Sequence, residues 1–243
     1  MSEWIVILGF LVIALLYAAV GHGGASGYLA LMALLGLAPA VIRPSALVLN
    51  VIVSLIAAVY FVRSGYFRPR LFIPLAIVSI PMAWLGAHLQ VSDHWYRILL
   101  AACLLIAVVR LLAEMHANSD QPVRPVSIPL LLIAGAGIGV LSGMIGIGGG
   151  ILLSPFLLLV RWTDMRETAA LSAPFILVNS LAALAALSSQ DPVFPDTLLF
   201  WILATIAGGT VGAYLGSRRL PVVSLKYILA AVLLLATGKL ILV

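Results

Sequence analysis

Two glycine-rich stretches interrupt long apolar runs and carry the groups of this chain that could bind an anion. They read "VGHGGASGYL" from Val20 to Leu29 and "GMIGIGGGILLS" from Gly143 to Ser154. Glycine lacks a Cβ, so a ligand can approach the backbone N–H groups, and positive φ angles are accessible. A helix that begins directly after such a turn presents free N–H groups and a partial charge of roughly +0.5. Both stretches therefore predict a site for a small anion.

A few polar side chains lie in or beside the same apolar runs. Asn50 and Asn179 each lie near the middle of one, and an Asn inside a membrane costs free energy unless it is paired. They should face the interior, either to contact substrate or to hold two helices together. His22 could attract an anion when protonated, pass a proton, or cap a broken helix. The predicted substrate-binding residues are Gly21, His22, Gly23, Gly24, Ser26, Asn50, Gly146, Gly148, Gly149, Gly150 and Asn179, with Ser45, Ser54, Ser172 and Arg43 as further candidates.

Signatures of enzymes and metal sites are missing from the sequence. The second glycine-rich stretch lacks the Gly-Lys-Ser/Thr ending of a P-loop and the third glycine of a dinucleotide fingerprint. No cluster of His and Cys has metal-ligand spacing. All eight carboxylates fall at segment ends or in loops, so a carboxylate proton relay through the membrane is not expected. We therefore predict no enzymatic activity, no catalytic residue, no cofactor and no metal.

Composition identifies the elements that must position these residues. Of 243 residues, 64% are hydrophobic and only 9% are charged, and the mean hydropathy is +1.23. Apolar runs close to the roughly 20 residues that span a bilayer recur along the chain. The net charge of +5 comes from basic residues at segment ends, a pattern typical of membrane topology signals rather than nucleic-acid binding. The sequence predicts a multi-pass membrane protein in contact with the lipid bilayer.

Ten apolar segments are predicted, and two of them are too short to cross a bilayer. Each short segment directly follows a glycine cluster, so it forms a pair with the segment before it. Such a pair is either one span broken near its middle or a re-entrant hairpin. The segments are 4–20, 27–38, 44–62, 71–89, 95–112, 127–146, 149–160, 168–187, 197–215 and 221–242, and the short ones are 27–38 and 149–160.

The two halves of the chain resemble each other. "VGHGGA" aligns with "IGIGGG", "LGAHL" with "VGAYL", and Asn50 with Asn179, at a near-constant spacing. Arginines concentrate in one loop of the first half and in the non-equivalent loop of the second, so equivalent loops lie on opposite sides of the membrane. We predict one integral membrane domain, 1–243, in which repeat 1 (1–113) and repeat 2 (127–243) flank a cytoplasmic linker (114–126). The fold class is all-α, a polytopic transmembrane bundle of two inverted repeats, each with a broken or re-entrant helix pair plus three spanning helices.

The two glycine-rich motifs and the two-repeat hydrophobic pattern resemble the sulfite exporter TauE/SafE family of bacterial and archaeal membrane proteins. The resemblance covers essentially the whole chain, and its more specific part is "GMIGIGGGILLSPFLLL", from Gly143 to Leu159. It implies a transporter of sulfur-containing anions such as sulfite, sulfoacetate or other organosulfonates, in the inner (plasma) membrane of a prokaryote. The first motif departs from a full glycine run at His22 and Ala25, which leaves open whether both halves contact substrate equally.

The leading hypothesis is a secondary transporter that works by alternating access around the two glycine-rich breaks. An anion channel, and a membrane-embedded assembly subunit whose glycine clusters serve only for packing, are the alternatives. The expected partners are a small anionic substrate and lipid, without nucleic acid. The sequence is also compatible with a homo-oligomer and with proton coupling.

Overall fold

A computed structural model describes residues 3–89, 91–113 and 124–218. In these ranges the regular structure consists of nine α-helices and one short 3-10 turn, so the all-α prediction is confirmed. The predicted segment 221–242 and most of the linker 114–126 lie outside the described residues. The helices are α1 Glu3–Ala18, α2 Ala25–Leu34, α3 Pro39–Arg63, α4 Pro69–His88, α5 Asp93–Ala113, α6 Ile128–Ile145, α7 Gly150–Leu159, α8 Met165–Leu187 and α9 Leu198–Ser217.

Helix α8 begins before the apolar run that predicted it, because a capping box fixes its start. The Asp164 carboxylate accepts from the N–H groups of Arg166 and Glu167, each at 2.8 Å. The Glu167 carboxylate in turn accepts from the N–H of Asp164. This reciprocal arrangement satisfies N–H groups that the first helical turn leaves free. The helix therefore starts at Met165 rather than at 168.

Helices α1 and α2 form a re-entrant hairpin, which decides between the two arrangements that the sequence left open. The side chains of Tyr17 and Ser26 hydrogen-bond at 2.5 Å next to the turn. Further along, Gly9 of α1 lies against Leu31 of α2. The end of α1 thus contacts the start of α2, and the first half of α1 contacts the second half of α2. This order of contacts requires the two helices to run in opposite directions. Helix α2 therefore turns back instead of continuing the span.

Helices α6 and α7 form a second hairpin of the same kind. The N–H of Arg124, just before α6, donates to the carbonyl of Arg161, just after α7, at 2.7 Å. At the other end, Gly149 lies beside Ile138 and Ser142 of α6. The short helix thus runs back along the long one. We call the two connecting turns, residues 19–24 and 146–149, the first and second hairpin tips.

Glycine stripes bring two pairs of long helices into backbone contact. Gly208 and Gly212 of α9 lie against the carbonyls of Leu11 and Leu15 of α1, and Gly216 lies against the carbonyl of Ala19, directly after α1. In the same way, Gly135, Gly139 and Gly143 of α6 lie against Leu75, Ser79 and Ala83 of α4. Small residues spaced four apart allow this close approach of membrane helices. In both pairs the residue numbers rise together, so α1 runs parallel to α9 and α4 runs parallel to α6.

One glycine of α6 takes no part in this packing. Gly137 has open space where its Cβ would lie, with no heavy atom within 4 Å. Gly137 therefore does not serve the packing of α6 against α4, as Gly135 and Gly139 do. It faces away from α4 because it is two residues from each of those glycines, about 200° around the helix.

The bundle is built to lie in a membrane. Five of the described helices, α3, α4, α6, α8 and α9, are long and apolar enough to cross one. Large apolar side chains cover the outside, as shown by Ile77 and Ile133, which are 66% and 69% exposed. The polytopic helical bundle predicted from composition is thus confirmed.

Charged contacts gather at one end of the bundle, which we call the arginine end. There Arg68 pairs with Glu167, and Arg166 donates to the hydroxyl of Tyr66 at 2.6 Å while lying over its ring. These contacts join the α3–α4 loop to the start of α8. The opposite end holds the connection from α8 to α9, with Asp191 and Asp196.

Candidate functional site

The side chain of Asn50 lies between the two hairpin tips. Its Oδ1 accepts a hydrogen bond from the N–H of Ala25 at 3.2 Å, and its Nδ2 donates to the Ser180 hydroxyl at 2.8 Å. A Cβ on Gly23 would overlap Oδ1, and a Cβ on Gly148 would overlap Nδ2. One fully buried amide from α3 therefore touches both tips, caps α2 and bonds to α8.

A second hydrogen-bonded chain joins the first tip to the second half of the molecule. His22 Nδ1 lies 2.9 Å from the carbonyl of Val20, and Nε2 lies 2.9 Å from the Ser154 hydroxyl. Ser154 is also 2.7 Å from the Ser172 hydroxyl. A carbonyl only accepts, so Nδ1 carries a proton. The Ser154 hydroxyl also lies 2.9 Å from the carbonyl of Gly150. In the imidazolium form Nε2 donates to Ser154, which keeps its own proton on that carbonyl, whereas in the neutral ring Nε2 accepts only if the Ser154 proton turns from the carbonyl to the ring.

The short helices α2 and α7 both begin at glycines in the left-handed conformation. Gly24 has φ 94° and Gly149 has φ 82°, and neither helix has a side-chain cap from that residue. A residue with a Cβ rarely adopts such angles, which explains why glycine is used at both positions. Both starts are buried, so the N-terminal ends of two helix dipoles meet in the interior of the bundle.

Protein atoms occupy the space beside each glycine of the tips. A Cβ on Gly21 would lie 2.7 Å from the carbonyl oxygen of Ala169, and a Cβ on Gly149 would lie 2.9 Å from the Phe175 ring. The space next to Gly150 and Gly148 is taken by Ile176. The glycines thus allow close packing in this conformation, in addition to any contact that they make with a ligand.

Arg43 ties α3 to the ends of two other helices. Its Nη2 donates to the carbonyls of Ala87 and Gly143, at 2.8 and 2.7 Å. These carbonyls lie at the C-terminal ends of α4 and α6, where the helix dipole favours a cation. Gly146, which ends α6 with φ 85°, packs on the Arg43 side chain. Arg43 therefore holds the second tip in place, and a contact with substrate stays a prediction.

Replacing Arg43 by Met should lower the stability of the bundle. The substitution keeps most of the apolar stem but removes two charge-assisted hydrogen bonds, which gives an expected loss of about 2–4 kcal/mol in the free energy of unfolding. Thermal denaturation in detergent measures it. The exposed Arg70 serves as the control, because Arg70→Met should change stability by less than about 0.5 kcal/mol. Equal effects of the two substitutions would contradict the role given to Arg43.

Other predicted residues lie apart from the Asn50 contacts. Asn179 is buried, but its Nδ2 donates to the Phe175 carbonyl of its own helix at 2.8 Å, and its Oδ1 has no hydrogen-bond partner among the described residues. Ser54 likewise bonds to its own helix, at the carbonyl of Val51. Ser45 is buried, and its hydroxyl has no partner within the ranges the structure describes. Binding of substrate by these three residues stays a prediction.

Two residues of this region were missed as ligand candidates from the sequence. Ser180 accepts a hydrogen bond from the Nδ2 of Asn50. Ser154 connects His22 to Ser172. Both are single serines in apolar helices, where a bond to the helix backbone is the common case. The only sequence signal was their position, since Ser154 follows the second glycine cluster and Ser180 follows Asn179.

No three His, Cys, Asp or Glu side chains of the described residues come together in a way that could hold a metal ion. The arrangement offers instead a buried centre with two helix N-termini, one imidazole and several hydroxyl and amide groups. Such a centre can stabilise a small anion through neutral donors and helix dipoles.

Comparison with known proteins gives matches over nearly the full length. The family described as "Sulfite exporter TauE/SafE" matches residues 5–240. A curated protein of Sinorhizobium fredii, named "Probable membrane transporter protein y4hK", is 38% identical over 237 residues, which cover 96% of each chain. No solved structure matches the chain.

Proposed function

Because the chain belongs to the sulfite exporter TauE/SafE family and is a multi-pass membrane transporter of the plasma membrane, we propose that it carries small sulfur-containing anions. Sulfite, sulfoacetate and other organosulfonates form the proposed substrate class. The substrate binds between the two hairpin tips and is released to alternate sides of the membrane as the halves move.

The observation that carries this proposal is the meeting of the two tips at Asn50. Helices α2 and α7 begin there at Gly24 and Gly149, deep inside the bundle. Transporters often place the N-termini of short or broken helices at the centre of the membrane, where the positive ends of the dipoles face an anionic group. The geometry of this chain supplies two such ends, one from each half.

The surroundings of the tips favour a weakly held anion. Among the described residues, the buried carboxylate is Glu167, and it pairs with Arg68 at the arginine end. Arg43, the cation beside the second tip, is engaged with the carbonyls of Ala87 and Gly143, so we expect neutral donors and helix dipoles to hold the anion. Release is then rapid enough for transport, which requires that binding not be too strong.

The inverted arrangement of the two halves belongs to the proposal. Helices α1 and α9 are parallel, as are α4 and α6, and α3 runs antiparallel to α8, since Asn50 meets Ser180 while Leu47 packs near Ala183 and Leu187. Together these directions make α1 and α6 antiparallel, as inverted repeats require. The positive-inside rule then places the arginine end in the cytoplasm.

His22 gives the site a group that can change charge. Its link to Ser154 crosses from the first tip to α7, and nothing equivalent exists at Ile147, the corresponding residue of the second tip. We include proton coupling through His22 in the proposal, because the protonated ring adds one positive charge beside the anion.

The packing of protein atoms beside every tip glycine favours a second candidate, a membrane-embedded subunit whose glycine clusters only pack helices. A Gly149→Leu variant does not separate the two, because Phe175 and Ile138 already fill the space beside that glycine. Ligand binding by the unaltered protein is the sharper criterion.

We expect a sulfur oxyanion to stabilise the purified protein and to cross a membrane through it. Thermal denaturation in detergent should show a higher Tm with sulfite or a small sulfonate than with a carboxylate or chloride of equal ionic strength. In proteoliposomes the same anion should give saturable uptake and counterflow. Liposomes without protein are the control.

Each other outcome excludes part of the proposal. If no anion raises the Tm and none crosses, the packing-only candidate is favoured. If the anion crosses with unitary currents, the protein is a channel and alternating access is wrong. If a carboxylate is preferred in both assays, the substrate class is wrong while anion transport stands.

A further inference from the structure

Tyr28 is a buried tyrosine that no assigned role explains. It lies in the first turns of α2 and is 0% exposed. Its hydroxyl has no hydrogen-bond partner among the described residues. Tyr hydroxyls usually find a partner when they are buried, because the lost hydration is otherwise uncompensated. A phenylalanine would fill the same space without this cost, so the hydroxyl calls for an explanation.

The hydroxyl of Tyr28 points to the N-terminal end of α2. A Cβ placed on Gly24 would lie 2.6 Å from Oη and 2.7 Å from Cζ, so the end of the side chain reaches back beside the glycine that starts the helix. The ring is held from the other side by Phe10, with ring centroids 5.8 Å apart. An unpaired donor is thus fixed against the start of a buried helix.

The N-terminal turn of α2 has further donors to offer at this point. Asn50 satisfies the N–H of Ala25, and the N–H of Tyr28 bonds to the carbonyl of Gly24. The N–H groups of Ser26 and Gly27 lie between them in the first turn, where an α-helix supplies no acceptor. The Tyr28 hydroxyl and this turn together form a set of donors that would suit an oxygen-rich anion.

We propose that the Tyr28 hydroxyl donates a hydrogen bond to an oxygen of the transported anion at the first hairpin tip. This inference rests on the proposed function, and it names the residue that selects for an acceptor oxygen. The hydroxyl is neutral, so it contributes specificity without adding a charge that would slow release.

The two halves then contribute differently to the site. The residue of α7 that corresponds to Tyr28 is Leu153, which has no polar group. Beside Gly149, the place corresponding to the Tyr28 ring is occupied by Phe175 from α8. This tyrosine hydroxyl belongs to the first half alone, so one oxygen of the anion faces the first tip.

Tyr28→Phe tests this role, because it removes a single oxygen atom that has no hydrogen-bond partner within the described part of the chain. Without ligand, the Tm of the variant should equal or exceed that of the unaltered protein. Its affinity for the best sulfur oxyanion should fall about tenfold, the effect of one hydrogen bond. Affinity is measured from the ligand dependence of the Tm and, independently, from the half-saturating concentration for uptake into proteoliposomes.

Tyr17→Phe is the matched control. Tyr17 is also buried, but its hydroxyl bonds to Ser26, so its loss should lower the Tm without ligand and leave the affinity nearly unchanged. If Tyr28→Phe keeps full affinity, or lowers the Tm without ligand as much as Tyr17→Phe does, the inference is overturned while the proposed function stands. If the unaltered protein binds none of the anions, both are overturned.

Discussion

Replacing Asn50 by Leu should cause one of the largest losses of stability that a single side chain of this protein can produce. The substitution removes the bonds to the N–H of Ala25 and the hydroxyl of Ser180 and leaves both groups buried. Each buried unpaired group costs about 1–3 kcal/mol, so for two groups the expected decrease in the free energy of unfolding is about 2–6 kcal/mol. Thermal denaturation in detergent should show it, and transport should be lost because both tips rest on this side chain.

Asn179→Leu is the control, since Asn179 is the counterpart of Asn50 in the second half and is equally buried. It loses only the bond to the Phe175 carbonyl of its own helix and removes an oxygen without a partner in the described structure. The change in stability should stay within about 1 kcal/mol. Equal losses at the two asparagines would mean that Asn50 has no special place between the tips.

Replacing Gly148 by Ala should be the second substitution with a large effect. Its φ of 69° lies in the left-handed region, where a Cβ costs about 1–2 kcal/mol. The new methyl group would also lie 2.6 Å from the Ser180 hydroxyl and 2.8 Å from Ile176, and would overlap the Asn50 amide. Overpacking of this kind adds about 1–3 kcal/mol. We therefore expect a total loss of about 2–5 kcal/mol, measured by thermal denaturation, together with reduced transport.

Two other glycines separate the causes of that loss. Gly65 has φ 85° but open space around its Cβ position, so Gly65→Ala should show the backbone cost alone, about 1–2 kcal/mol. Gly137 is helical and also has open space, so Gly137→Ala should leave stability unchanged or raise it by up to about 1 kcal/mol. If Gly148→Ala loses no more than Gly65→Ala, the contact with Asn50 is not as tight as described.

Helix positions were largely predictable from the sequence. The predicted segment 71–89 corresponds to α4 Pro69–His88, and 127–146 corresponds to α6 Ile128–Ile145. The agreement is close because a helix that contacts lipid must be apolar over its whole length, so its ends show as changes in composition. The start of α3 was missed by five residues, since Pro39 at its first turn and Arg43 do not look like part of an apolar run.

The contacts of the site were predictable only in part. The glycine clusters and Asn50 were identified, because consecutive glycines and a buried amide are rare in an apolar chain. The partner of Asn50 was not, because the alignment of the halves does not say which side chain of α8 an interior asparagine meets; in the structure it is Ser180 rather than the adjacent Asn179. One residue along a helix turns a side chain by about 100°, so a small difference in how the halves pack changes which neighbour meets it.

The sequence alone determined the membrane setting, the all-α class, the two glycine-rich breaks and the family resemblance, because these depend on residue types and their order along the chain. Only the tertiary structure decided that α1–α2 and α6–α7 are hairpins, that Asn50 touches both tips, and that Tyr28 reaches the start of α2. A broken span and a hairpin have the same local sequence. They differ in contacts between residues that are distant in the chain, and such contacts exist only once the helices have packed.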